Sequence, residues 1–125
     1  MKKIYLGILM TSLLWTSCRR NSYKEKFFRI AEEENARCPR RLNETTVMDS
    51  THYDADRNVV HYYYTLYGEK DDKADMKANA ALYKVQLQKA ADNLLELQEY
   101  RKQDTGFHIV YHSASNGEVL AEFSF

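Results

Sequence analysis

Val59-Val60-His61-Tyr62-Tyr63-Tyr64-Thr65-Leu66-Tyr67 decides the fold. The stretch is almost entirely β-branched and aromatic, the side chains that suit a pleated, half-buried strand. Successive side chains of a strand point to opposite faces. Val60, Tyr62, Tyr64 and Leu66 therefore share one face, assigned to the core. Val59, His61, Tyr63, Thr65 and Tyr67 share the other, a half-wet surface. A slip of one residue would exchange the two sets.

Upstream, Asp54-Ala55-Asp56-Arg57 is turn-prone, and Thr45 to Tyr53 reads as a second strand closing a hairpin. Downstream, Gly68 to Lys73 is a charged loop, and Asp72 followed by Asp75 places acids at the positive end of a coming helix. Met76, Ala80, Tyr83, Leu87, Ala91, Leu94 and Gln98 then keep the helical period, the clearest periodic signal in the chain. Unbroken helix from Asp72 to Lys102 would run roughly 45 Å, against strands of about 27 Å. A break near Asn93 is expected, with Leu94 to Lys102 as a second short helix. Phe107 to Ser113 and Glu118 to Phe125 form a last hairpin through Ala114-Ser115-Asn116-Gly117, since Asn-Gly tolerates positive φ. Its core side carries Phe107, Ile109 and Tyr111, then Val119, Ala121, Phe123 and Phe125.

Before the first hairpin, Tyr23, Phe27, Ile30 and Ala31 form an apolar helical stripe starting near Ser22, and Glu32-Glu33-Glu34 is its solvated face. Pro39 ends that helix. The order is α-β-β-α-β-β. An α+β two-layer sandwich satisfies it, with a four-stranded, mainly antiparallel sheet and helices on one face.

The first residues carry an address. Lys2 and Lys3 precede an uncharged apolar run from Ile4 to Trp15, too short to span a bilayer and of signal-peptide length. Thr16-Ser17-Cys18 resembles the lipobox of bacterial lipoproteins, with Trp15 where an aliphatic residue is usual. That resemblance implies a signal peptide over 1–17, lipidation of Cys18, a tether over 18–22 and one domain over 23–125. Several acyl chains hold a domain stably at a membrane where one would not. Arg19-Arg20 after the cysteine lacks the acidic patterns of surface export or inner-membrane retention, which by analogy favours the periplasmic face of the outer membrane. The membrane, through the lipid, is then one partner.

Asn35-Ala36-Arg37-Cys38-Pro39, then Leu42, Thr46 and Asp49-Ser50, then Tyr62-Tyr63-Tyr64-Thr65-Leu66, resembles a group of short envelope proteins of Gram-negative bacteria. In them a helix ending in Asn-x-x-Cys/Met-Pro precedes a threonine-containing strand and a tyrosine-rich one. The resemblance implies a small secreted or lipidated α+β domain and transfers no catalytic residue.

Charge and composition exclude several functions. The chain has 18 basic and 18 acidic residues. Removing Met1 to Ser17 takes two lysines and no acids, which leaves the balance slightly negative. A nucleic-acid partner is not expected without a basic face. With Cys18 lipidated, Cys38 has no intrachain partner and is expected to be a small buried hydrophobe near Pro39, the alternative being a disulfide to another molecule. Four glycines, Gly7, Gly68, Gly106 and Gly117, are too scattered for a phosphate loop, and no Gly-x-Ser-x-Gly elbow exists. Asp54-x-Asp56-x-Asn58 opens like a calcium loop but has Val59 at the glycine position and Thr65 at the closing glutamate, so it is a hairpin turn. No enzyme and no cofactor is expected.

Two sets of residues stand out. Tyr53, His61, Tyr63, Tyr67 and Val110, with Val59, are the candidate interaction face for an envelope protein, because tyrosine combines apolar area with a polar tip. His61, His108 and His112 are weak metal candidates. His108 and His112 lie about 13 Å apart along one strand, too far to share an ion, but His61 meets one of them if the strands are neighbours. Surface histidines are the expected reading. A membrane-anchored binding domain is thus expected, the alternatives being a small-molecule or metal-capture lipoprotein and, third, an enzyme. A flat aromatic sheet face without a pocket favours a protein partner. A cavity between helix and sheet lined by Tyr62, Tyr83 and Tyr111 favours a small molecule.

Overall fold

A computed structural model describes residues 22–125. The expected signal peptide over 1–17, Cys18 and the start of the expected tether lie outside them. Helix α1 (Ser22–Ala36) leads into a two-residue strand β1 (Arg40–Arg41), then β2 (Thr46–Asp54) and β3 (Val59–Leu66). A 3-10 turn (Gly68–Lys70) and helices α2 (Lys73–Ala78), α3 (Ala80–Asn93) and α4 (Leu95–Lys102) follow, then β4 (Gly106–Ser113) and β5 (Val119–Ser124). The class is α+β, but the sheet has five strands in the order β1-β2-β3-β4-β5, not four. β1 carries no apolar alternation. It exists because the chain turns back after Pro39 and lays Arg40 and Arg41 beside Met48 and Val47.

The sheet is antiparallel except at its centre, where β3 and β4 run parallel in unbroken register from Val59↔Gly106 to Leu66↔Ser113. Parallel neighbours need a crossover, and α2, α3 and α4 supply it. This crossover is broken twice. Leu94, extended at φ −78° and ψ 123°, separates α3 from α4 as the length argument expects. Asn79 makes a second, unexpected break, its amide donating to the Asp75 carbonyl and carboxylate. Asp72 caps α2 by accepting from the Asp75 backbone N–H.

The core lies between this helical layer and one sheet face. Phe27 is its hinge, with ring centroids 5.7 Å from Tyr53 and 4.6 Å from Tyr100. Val60, Tyr62 and Leu66 are buried from β3 as expected, as are Phe107 and Ile109 from β4. Two expected faces are corrected, and both corrections are β-bulges. Asp49 is the extra residue of β2, between Met48 paired with Tyr64 and Ser50 paired with Tyr63. A bulge shifts the alternation by one. Tyr53 therefore turns inward and is 1% exposed, so it is no part of an open interaction face. Leu120 is the extra residue of β5, so it is buried and Val119, expected in the core, is 46% exposed.

The turns behave as read. Asp54 accepts from the backbone N–H of Asp56 and Arg57, and Asn58 closes the turn at positive φ. Gly117 also takes positive φ, with the Asn116 side chain accepting from Glu118 N–H. Asn35 receives the Thr51 backbone N–H just past the β2 bulge, and the Cys38 thiol donates to the Glu34 carbonyl. The Asn-x-x-Cys-Pro segment thus serves helix termination and strand docking. Cys38 is half-buried against the core, and burial raises its thiol pKa.

Candidate functional site

The strongest candidate is a cleft under α3. This helix buries only Ala91, while Leu82 and Val85 are exposed and its inner stripe, Tyr83 and Leu87, is half-buried. The sheet face below it carries Tyr62, Tyr64 and Tyr111, stacked with centroids 6.4 Å and 5.2 Å apart. Helix and sheet leave space between them here. Two chambers result. One, of about 290 Å³, is lined by Leu66, Met76, Tyr83, Leu87 and Tyr111, with Lys70, Asn43 and Gln86 among its polar residues. The other, of about 230 Å³, is lined by Met48, Tyr62, Tyr64, Leu87 and Ile109, with Glu34, Arg40 and Glu96 as its charged groups. Leu87 lines both.

The phenols are the unusual part. Tyr53 donates to Asn58 and Tyr83 to Asp75. Among the described residues, no protein partner serves the hydroxyls of Tyr62, Tyr64 or Tyr111, and the Tyr100 hydroxyl is fully buried without one. Burial raises the pKa of all four, Tyr100 to about 12, so they stay protonated donors at any physiological pH. An unmet buried hydroxyl costs roughly 1–3 kcal/mol. That cost falls on Tyr100; the hydroxyls of Tyr62, Tyr64 and Tyr111 are not fully buried and remain able to donate to a guest with a polar group in this cleft.

Glu34 was expected on a solvated face. Instead it is half-buried at the cleft beside Arg40 and Glu96, and desolvation raises its carboxyl pKa against the lowering pull of Arg40. The folded chain thus holds this proton to higher pH than the unfolded chain does. The associated stability is complete below the ordinary carboxylate range and is lost as pH rises through the raised value. Glu34→Gln should therefore raise the urea midpoint at pH 7 and have little effect at pH 4. Unchanged midpoints at both pH values would contradict this placement.

Among the described residues no helix covers the opposite sheet face, and its expected residues divide. His61 and Tyr63 lie on it, stacked at 6.3 Å. Val110 also lies there, yet is 6% exposed and outside the core cluster, screened by its own neighbours. Tyr67 sits beyond the end of β3 with the Arg41 guanidinium over its ring at 5.2 Å. The β3–β4 register brings His61 against His108, while His112 pairs instead with Thr65 and Val119. Burial, then the nearness of His108 and His52, lowers the His61 pKa. No group of three or more His, Cys, Asp or Glu among the described residues is gathered to hold a metal. No described helix is long and apolar enough to cross a membrane.

A cavity lined by Tyr62, Tyr83 and Tyr111 is the feature that favours a small-molecule ligand over the expected sheet-face interaction; Tyr83 and Tyr111 line one chamber and Tyr62 the other. Sequence reasoning missed Tyr64, Leu87, Arg40 and Glu34. The available signal was that Tyr62 and Tyr64, assigned to a core, brought hydroxyls for which nothing nearby offered an acceptor.

These features define a small α+β domain with a phenol-lined cleft between a loosely packed helix and its sheet. The chain belongs to the family described as domain of unknown function DUF8479, whose model matches residues 22–121. It is similar in fold to a Pseudomonas aeruginosa protein whose crystal structure is described as that of a candidate secreted protein. The TM-score is 0.66 at 13% identity, over 78% of this chain and 82% of the other. No curated protein matches the chain.

Proposed function

We propose that this is a non-enzymatic binding protein of the cell envelope, held at the membrane by lipid on Cys18, that captures a small amphipathic molecule in the cleft under α3. One observation carries the binding role: the phenols of buried Tyr62 and half-buried Tyr64 and Tyr111, which have no protein partner among the described residues, line a half-open, mainly apolar cleft. Pockets of a few hundred Å³ with apolar walls and a few polar groups are the usual form of small-molecule sites. The guest has an apolar body of one or two rings, or an equivalent alkyl segment, and a group that accepts from phenols. Titration with the fluorescent amphipath phenylnaphthylamine tests this, and saturable, one-site enhancement is expected. No enhancement would remove the capture role.

The extracytoplasmic location is supported by the amino-terminal signal and by the description of the structural neighbour. Metabolic labelling with a palmitate analogue should mark the wild type and leave Cys18→Ser unmarked. An unlabelled wild type would sink the anchor.

An envelope protein on the open sheet face is the second reading. It is supported by the row of His52, His61 and Tyr63, which no described helix covers.

A further inference from the structure

We infer that His61 and His108 chelate a divalent transition-metal ion between their Nδ1 atoms on the open sheet face, and that Cu²⁺ is the ion that fits best. The two residues are direct partners in the parallel β3–β4 register. Their rings meet edge to face with centroids 4.8 Å apart, and the Nδ1 atoms are 2.6 Å apart. The far side of His108 is already committed. Its Nε2 lies 2.5 Å from the Glu122 carboxylate on β5. With Nε2–H donating to Glu122, neutral His108 presents its Nδ1 lone pair to His61. That carboxylate–histidine arrangement is how proteins fix the tautomer and raise the basicity of a metal-binding imidazole.

Without metal, one proton on His61 Nδ1 bridges the two nitrogens. For metal to enter, that proton moves to His61 Nε2, and both Nδ1 lone pairs become free. No net proton is released. Metal–nitrogen bonds of about 2.0–2.1 Å put two cis ligands about 2.9 Å apart in a square plane and about 3.3 Å apart in a tetrahedron. From 2.6 Å the pair must open by about 0.3 Å for the first geometry and about 0.7 Å for the second. Tetragonal Cu²⁺ is therefore favoured over tetrahedral Zn²⁺, in the same direction as the general affinity order of these ions. Because no three ligand side chains converge here, water completes the coordination. His52, paired with His61 on β2 and stacked 6.1 Å from its ring, bounds the site on one side. This inference is independent of the cleft on the other face.

The test is calorimetry on the untagged full chain with Cu²⁺ alone and Zn²⁺ alone at neutral pH, with electron paramagnetic resonance of the copper form. One equivalent of Cu²⁺ at micromolar affinity is expected, with the splitting of two imidazole nitrogens and Zn²⁺ at least about tenfold weaker. His61→Ala and His108→Ala should each abolish that affinity. Glu122→Gln should weaken it about tenfold, and His112→Ala should leave it unchanged. Absence of micromolar Cu²⁺ binding by the wild type would overturn the site. So would binding that survives loss of both His61 and His108, or that falls as far in His112→Ala. Zn²⁺ binding as tightly as Cu²⁺ would overturn the square-planar fit.

Discussion

Phe27→Ala is expected to remove about 3–5 kcal/mol of stability, the range for truncating a buried aromatic ring. Phe27 is 2% exposed and packs edge-on to Tyr23 and Tyr53 and tilted against Tyr100. It joins α1 to β2 and α4, so its removal opens a cavity shared by three elements that cannot all collapse into it. Relaxation will be partial, which places the loss well inside that range. For a domain of this size the thermal midpoint should fall by more than about 10 °C. Differential scanning calorimetry reads it directly. The neighbouring exposed Phe28, truncated in the same way, should change the midpoint by no more than a degree or two. Equal effects at the two positions would mean that the α1 docking face is misassigned.

Leu87→Trp is expected to abolish phenylnaphthylamine binding, by at least about a hundredfold, with little loss of fold. Leu87 lines both chambers, so an indole there fills the space a guest needs. Overpacking a closed core costs roughly 1–3 kcal/mol. At a half-buried position beside open cavities, the cost should lie at or below the low end. Tyr64→Phe makes the complementary change. It deletes only a hydroxyl with no protein partner, so the urea midpoint should hold or rise slightly. Affinity for a guest accepting from that hydroxyl should fall about tenfold, the share of one hydrogen bond. A phenol kept for structure would behave in the opposite way, losing stability and leaving affinity alone.

The sequence reading succeeded where periodicity was local and uninterrupted. β3 alternates without a break, so Val60, Tyr62 and Leu66 were placed correctly from their parity alone. The stripe on α3 was equally plain, and the limit on helix length located the break at Leu94. Tyr53 and Val119 were misplaced for a single reason. Asp49 and Leu120 are bulge residues, and neither is marked by glycine or any turn signal, so the parity beyond each was read one residue out. β1 was invisible because two arginines in a row carry no strand pattern. The parallel pairing of β3 with β4 depends on the path of a three-helix crossover, and no local signal encodes it. That pairing also decides the histidines. His61 and His108 meet only because their strands are neighbours, whereas the spacing of His108 and His112 could never have joined them. The cleft was half legible. The sequence offered its phenols, but the looseness of α3 above them is a matter of packing, not of pattern.

The most direct measurement is nuclear magnetic resonance of the full chain with ring-labelled tyrosine, titrated with phenylnaphthylamine. Capture under α3 predicts that the ring signals of Tyr62, Tyr64, Tyr83 and Tyr111 shift together and saturate at one equivalent. Tyr53, bonded to Asn58 beneath α1, and Tyr63, on the far face of the sheet, should stay in place. Shifts confined to Tyr63, or no shift at any of the four cleft tyrosines, would contradict a binding site between α3 and the sheet.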